Sequence, residues 1–148
     1  MTERVRLIKH DELTMLLSLY TYLNPEDPCL EPNLELEKHW REILGDPSLY
    51  YLVIEEDNRL VSSCTLAIIK NLTRSARPYG LIENVVTHPD YRNKGYGTAV
   101  LRKAVAIAME KNCYKVMLMT GRKGESTLKF YEKAGFHRGE KTAFVIRF

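Results

Sequence analysis

The segment of this sequence best equipped for chemistry runs Val85-Val86-Thr87-His88-Pro89-Asp90-Tyr91-Arg92-Asn93-Lys94-Gly95-Tyr96-Gly97-Thr98. A β-rich run enters a loop with the spacing Arg92-x-x-Gly95-x-Gly97, and the loop passes directly into a helical pattern. Glycines at 95 and 97 let the backbone approach a ligand closely and turn its N–H groups outward. The helix that follows supplies first-turn amides without an internal acceptor, together with the positive end of its dipole. Arg92 and Lys94 add full charges beside them. These groups describe an anion site suited to a pyrophosphate. The pattern is neither the Gly-Lys-Ser/Thr phosphate loop nor the GxGxxG dinucleotide fingerprint. A short Gly-x-Gly before a helix is, taken alone, also an ordinary tight turn.

Just upstream, Glu83 and Asn84 interrupt an otherwise apolar strand over Tyr79–Thr87. Alternation places Leu81, Glu83 and Val85 on one face, and Ile82, Asn84 and Val86 on the other. A carboxylate held in a partly apolar strand gains affinity for protons and can serve as a base. The same residue reads equally well as a paired structural carboxylate. His10, His39, His88 and His137 show no metal-ligand spacing, so no metal is expected, and His88 reads as a loop residue. Cys113 reads as a small packing residue. For Trp40 and Tyr20, packing is favoured over lining a cleft.

These groups need elements to hold them. Alternation over Arg4–Lys9 predicts a first strand, and His10–Leu13 opens a helix with Asp11 as its N-cap. Asn24-Pro25-Glu26-Asp27-Pro28, with Pro32, ends that helix in a loop. A second helix covers Leu34–Leu44, with Leu36, Trp40 and Leu44 on one stripe and Gly45 past its end. Tyr50–Glu55 and Leu60–Ile69 form a hairpin turning at Asp57-Asn58. A basic loop, Asn71–Pro78, carries Arg74 and Arg77 ahead of the strand Tyr79–Thr87. A helix over Gly97–Lys111, a strand over Lys115–Thr120, a helix over Glu125–Ala134 and a last strand over Thr142–Phe148 complete the pattern. The order predicts one α/β domain over residues 1–148, a mixed sheet with helices on both faces.

Composition agrees. The chain has 148 residues, 45% hydrophobic and 28% charged, as in a globular domain rather than a disordered chain. Its net charge of +3 is far below that of a dedicated nucleic-acid binder, yet suits a ligand with several phosphates. Cys29, Cys64 and Cys113 form no CxxC pair, which argues against a disulfide framework and fits a reducing cytoplasm. The charged start, Met1-Thr2-Glu3-Arg4, is unlike a signal peptide, and no run approaches the ~20 apolar residues of a membrane span.

From Glu83 to Phe136 the sequence resembles the GNAT superfamily of acetyl-CoA-dependent N-acetyltransferases. The resemblance rests on the strand ending Val86-Thr87-His88-Pro89, the loop Arg92-Asn93-Lys94-Gly95-Tyr96-Gly97, the helix after it, and Phe130-Tyr131-Glu132-Lys133-Ala134-Gly135-Phe136. It implies a mostly antiparallel twisted sheet and acetyl-CoA as cosubstrate. The implied cofactor contacts are amides from Arg92 through Asn93, Lys94, Gly95, Tyr96 and Gly97 to Thr98, and backbone groups of Val85, Val86 and Thr87. Tyr131 would protonate or stabilise the departing thiolate, and Glu83 would help to deprotonate the amine, usually through water. Many members carry asparagine seven residues before that tyrosine; here Gly124 stands there and Thr127 stands four before, so Ser126 or Thr127 would substitute.

Leu81-Ile82-Glu83-Asn84-Val85-Val86 and Asn112-Cys113-Tyr114-Lys115-Val116 further resemble the glucosamine-6-phosphate N-acetyltransferase branch, with Asn84 where that branch has an acid and Asn112 where it has glycine. The branch implies an amino sugar phosphate as acceptor, and Arg74 and Arg77 could bind its phosphate or form a solvated basic loop. Alternative acceptors are an amino acid, a polyamine or an antibiotic amine. A non-catalytic acyl-CoA sensor is the alternative of another class. A homodimer is implied by the branch and by the exposed edge of the last strand. No nucleic-acid or membrane partner is expected.

Overall fold

The computed structural model describes residues 1–148. Five strands, Arg6–Leu7 (β1), Leu49–Glu56 (β2), Arg59–Ile69 (β3), Tyr79–Thr87 (β4) and Val116–Leu118 (β5), form one sheet in sequential order. Neighbours pair antiparallel through β4, and β5 joins β4 parallel. The helices are Leu13–Tyr20 (α1), Leu34–Gly45 (α2), a single turn at Thr73–Ala76 (α3), Tyr96–Glu110 (α4) and Glu125–Lys133 (α5). A parallel neighbour needs a long crossover, and α4 supplies it between β4 and β5.

The β2–β3 hairpin turns as expected. Asp57 and Asn58 take φ of 50° and 58°, the left-handed pair that matches the twist of the flanking strands. Two apolar layers sandwich the sheet. On one face Val100, Leu101, Ala104 and Ala108 of α4 pack on Leu52, Ile54, Cys64, Leu66 and Ile82. On the other, Leu16 and Leu19 of α1 and Trp40 of α2 pack on Val53, Leu60 and Val86. Trp40 is therefore a core residue, and its indole N–H donates to the His10 carbonyl at 2.8 Å.

The structure departs from the pattern in four places. First, β1 is only Arg6–Leu7, because Thr2–Arg4 coils into a 3-10 turn. Second, Asp11 does not cap α1. His10–Glu12 forms a 3-10 turn, and Glu12 reaches back to accept the Lys9 N–H at 2.8 Å. Third, the faces of β4 invert partway along it. Asn84 bulges out at φ 53°, so Glu83 stands opposite Thr65 while Val86 stands opposite Ser63. Glu83 and Val86, rather than Glu83 and Val85, thus share the α1 face. Fourth, Thr142–Phe148 forms no ladder. An alternating pattern becomes a strand only beside a partner in register, and beyond Gly139 (φ 80°) the chain runs clear of β5.

The Arg6–Glu12 pair fixes the entry to α1. Both Glu12 carboxylate oxygens accept from the Arg6 guanidinium, at 2.9 and 2.7 Å, with the Glu12 side chain 8% exposed. The guanidinium holds the Glu12 carboxyl below its usual range. A carboxyl depressed on folding contributes its full stability above its unfolded pKa, about 4.3, and loses it as pH falls through the folded value. Glu12→Gln is expected to cost about 1.5–3 kcal/mol near pH 7. Urea titrations of wild type and variant should converge as pH is lowered through the acidic range; a constant gap would remove the ion pair as the cause.

Candidate active site

The site begins where two strands part. β4 and β5 pair at Gly80–Val116, Leu81–Met117 and Ile82–Leu118, and there the ladder ends. From Glu83 onward the β5-facing edge of β4 has no strand beside it, while its other edge stays hydrogen-bonded to β3. Glu83 and Asn84 sit exposed at this opening, not buried as their apolar neighbours suggested, because the sheet has opened around them. The Val86 side chain is buried, and the Thr87 hydroxyl lies 2.9 Å from the Ser62 hydroxyl. What Val85, Val86 and Thr87 turn toward the opening is backbone.

Beyond β4 the chain makes a 3-10 turn at Pro89–Tyr91, where the His88 ring accepts the Asp90 N–H at 3.2 Å. His88 is a loop anchor, edge-on to Tyr22 and Tyr91. Asn93 (φ 60°) and Gly95 (φ 87°) then turn the backbone so that α4 starts at Tyr96. The Ala99 N–H donates to the Gly95 carbonyl at 3.0 Å. Asn93, Lys94 and Gly95 donate to no backbone carbonyl, and Tyr96, Gly97 and Thr98 hold the first-turn amides that a helix leaves unpaired. Arg92, Asn93 and Lys94 are exposed around them. Arg92 is steadied by donating to the Thr87 carbonyl at 3.1 Å, and Lys94 by donating to the Asp90 carbonyl at 2.9 Å. Six amides without a backbone acceptor and two cations thus gather on one loop, an arrangement suited to an anion.

Two loop residues also meet packing demands that the pattern did not show. The Tyr96 side chain is buried, its hydroxyl donating to Glu56 at 3.1 Å, so only its amide faces the site. Gly97 is required by packing, since a Cβ there would stand 2.9 Å from Cζ of Phe130. Phe130 precedes Tyr131, so this contact ties the anion loop to α5 and sets where Tyr131 stands.

Tyr131 is half-buried on α5, its ring edge-on to Phe130 at 4.9 Å. Burial raises its phenol above the ordinary value of 10.0; the Arg122 charge opposes this, and the Cys64 and Glu83 charges add to it. The phenol is therefore protonated at neutral pH, and Glu83 lies within electrostatic reach of it. Thr127 is half-buried one turn earlier on α5, its N–H donating to the Gly124 carbonyl at 3.1 Å. Neither nearby thiol is a ready nucleophile. Burial pushes Cys64 up to about 12 and also raises Cys113.

The α1 side of the opening holds Ser63 and Thr65, which the sequence reading passed over, and Tyr20, for which it favoured packing. The hydroxyls of Tyr20, Ser63 and Thr65 are buried without a protein hydrogen-bond partner, and Thr65 stands opposite both Tyr51 and Glu83 in register. The run Ser62-Ser63-Cys64-Thr65, polar in the middle of a core strand, was the available signal. Burial pushes the Tyr20 phenol up to about 12. In the basic loop, Arg77 is committed to structure, donating to the carbonyls of Asn112 at 3.1 Å and Cys113 at 3.0 Å. Arg74 rests over the Tyr114 ring at 5.8 Å.

A splayed β4–β5 pair, a free-amide loop opening α4 and a half-buried tyrosine on α5 are the features that the sequence resemblance implied. Residues 16–136 match the model of the Acetyltransferase (GNAT) family, and the chain belongs to it. It is similar to a Trypanosoma brucei brucei protein named glucosamine 6-phosphate N-acetyltransferase, 32% identical over 137 residues, which covers 93% of this chain and 90% of the relative. A solved structure from Agrobacterium tumefaciens, assigned provisionally as an acetyltransferase, superposes with TM-score 0.90 at 45% identity, covering 97% of this chain and 98% of that one. Glucosamine-6-phosphate N-acetyltransferase from Arabidopsis thaliana shares the fold, with TM-score 0.83 at 23% identity over 97% and 96% of the two chains. The protein is an acetyl-CoA-dependent N-acetyltransferase.

Two substitutions test this geometry. Gly97→Ala should cost about 1–3 kcal/mol by crowding Phe130, read by thermal unfolding, and should weaken coenzyme A binding in calorimetry. Phe130→Leu in the same chain should restore both; loss of binding without loss of stability would place the constraint on the ligand side. Tyr20→Phe removes a buried, unpaired hydroxyl and should raise the Tm of the ligand-free protein by about 2–4 °C for each kcal/mol relieved. A fall in Tm would show that the hydroxyl is paired.

Proposed function

We propose that this enzyme moves acetyl from acetyl-CoA directly to the primary amine of an amino sugar phosphate, with Glu83 as base and Tyr131 as acid. The observation that carries this reading is the placement of Glu83 and Tyr131 at one opening that ends on the free amides of Asn93–Thr98. In it, those amides with Arg92 and Lys94 hold the pyrophosphate of coenzyme A. The β4 backbone at Val85–Thr87 pairs with the pantetheine arm, and Thr127 meets that arm from α5. A protonated amine has no lone pair, so Glu83 takes its proton, through water, before the nitrogen attacks the thioester carbon. Tyr131, protonated at neutral pH, gives its proton to the sulfur as the carbon–sulfur bond breaks. The raised thiol values of Cys64 and Cys113 favour this direct route over an acetyl-enzyme.

Support for the amino sugar phosphate comes from the relative in Trypanosoma brucei brucei and from the Ile82-Glu83 and Cys113-Tyr114-Lys115 runs. Arg74 is the better placed phosphate ligand, since Arg77 is engaged by backbone carbonyls. The same reading has the enzyme in the cytoplasm, where three unpaired cysteines stay reduced, acting on a small-molecule amine as a homodimer without metal or nucleic acid.

The test is acetyl-CoA-dependent release of free thiol with glucosamine 6-phosphate, amino acids, polyamines and aminoglycosides as acceptors. Release with the sugar phosphate supports the reading. Release only with another amine keeps the enzyme and discards that acceptor. Tyr131→Phe should lower kcat by about 10²-fold, the lower end for a positioned acid, with coenzyme A affinity unchanged. Unaltered turnover would remove Tyr131 from the chemistry.

A further inference from the structure

The loop of free amides has little support from its own segment. Asn93, Lys94 and Gly95 donate to no backbone carbonyl, and Asn93 and Gly95 stand in left-handed backbone. The Arg92 and Lys94 side chains each make one bond, to the carbonyls of Thr87 and Asp90. Such a segment is either held in shape from outside or ordered at the moment a ligand binds, which lowers affinity.

The outside support is the tip of the β2–β3 hairpin, and it grips the two residues that bracket the loop. Tyr91, just before the loop, donates its hydroxyl to the Asp57 carboxylate. Tyr96, just after it, donates to Glu56 at 3.1 Å. The two rings meet edge-on at 5.9 Å, and the Lys94 ammonium lies over the Tyr91 ring, 5.3 Å from its centre. The bond to Asp57 raises the Tyr91 phenol above its ordinary value of 10.0, so at neutral pH it remains a donor. The hairpin acids are themselves held, Glu56 by the Arg4 guanidinium and Glu55 by Arg6 at 2.7 Å. Asp57 is met by the Tyr91 hydroxyl. A carboxylate beside an anion site opposes binding through its charge. At Asp57, charge and grip therefore act in opposite senses, and experiment can separate them.

We propose that Asp57 and Glu56 are positioning residues for coenzyme A: without touching it, the hairpin tip staples both ends of the anion loop and holds its amides ready. The inference rests on the reading of Arg92–Thr98 as the pyrophosphate site. Tyr96 is buried, whereas Tyr91 is half-buried and Asp57 exposed, so the Tyr91–Asp57 staple can be cut without opening the core.

The experiment cuts that staple in the full chain and reads coenzyme A binding by calorimetry. Asp57→Gly keeps the left-handed turn and removes the acceptor. Asp57→Asn keeps the turn and an acceptor and removes the charge. Where one more loop residue must be ordered at binding, Kd rises roughly 5–30-fold. That rise is expected for Asp57→Gly and for Tyr91→Phe, with no further rise in the double variant, and Asp57→Asn should recover most of the loss. Hydrogen exchange without ligand should quicken at the amides of residues 93–98 and stay unchanged at residues 100–108. With an acceptor that supports thiol release, KM for acetyl-CoA should rise by the same factor and kcat stay as it was. Asp57→Gly binding as tightly as wild type overturns the proposal, and tighter binding does so because the carboxylate then acts only by repelling phosphate. Additive losses in the double variant also overturn it, since the two groups then act apart. Wild type that binds no coenzyme A overturns the pyrophosphate reading instead, and amide exchange in the ligand-free chain still decides the staple.

Discussion

The structure depends on a sheet that stops being continuous halfway along one strand. β4 is hydrogen-bonded on both edges as far as Ile82 and on one edge only from Glu83 onward. Unpaired backbone polar groups inside a protein are costly, so such an opening persists only where something else can occupy it. Here the unpaired stretch begins at a carboxylate and runs into a loop of free amides. The bulge at Asn84 makes the parting possible, because it increases the local twist of β4 and shifts the register of everything after it.

Much of the remaining fold holds that opening in shape. α4 both joins β4 to β5 and buries Val100, Leu101 and Ala104 against the sheet, so the helix whose first-turn amides are free is anchored by the core. The loop before it is tied down by Arg92 on the Thr87 carbonyl and Lys94 on the Asp90 carbonyl. Gly97 then couples this loop to α5 by letting Phe130 approach, so the free-amide loop and the helix that carries Tyr131 share one contact. On the far side, Arg77 clamps the carbonyls of Asn112 and Cys113 and sets where β5 begins.

Preorganisation on this plan has a cost. Asn84, Asn93 and Gly95 adopt left-handed backbone, and three buried hydroxyls on the α1 side lack protein partners. These departures lie around one opening, as expected where binding and chemistry outweigh local stability. The tail beyond Gly139 is the other place where local rules go unmet, and it borders the same α5 wall.

By itself the sequence determined what depends on neighbours along the chain. The Asp57-Asn58 turn, the β4 boundaries and the helix after Gly95 follow from periodicity and backbone preference over a few residues. The anion loop was legible for the same reason, since Arg92, Gly95, Gly97 and the helix start are contiguous. Tertiary structure alone decided which edge of β4 is free, and hence that Glu83 is exposed. Alternation cannot foresee a bulge that a one-residue mismatch with β3 imposes. It also decided that Gly97 packs on Phe130, that Arg77 is spent on carbonyls and that Thr65 stands opposite Glu83, all contacts between residues distant in sequence. The pattern of Thr142–Phe148 is that of a strand, yet a strand exists only when another edge is there to receive it, and that edge is set by three-dimensional packing.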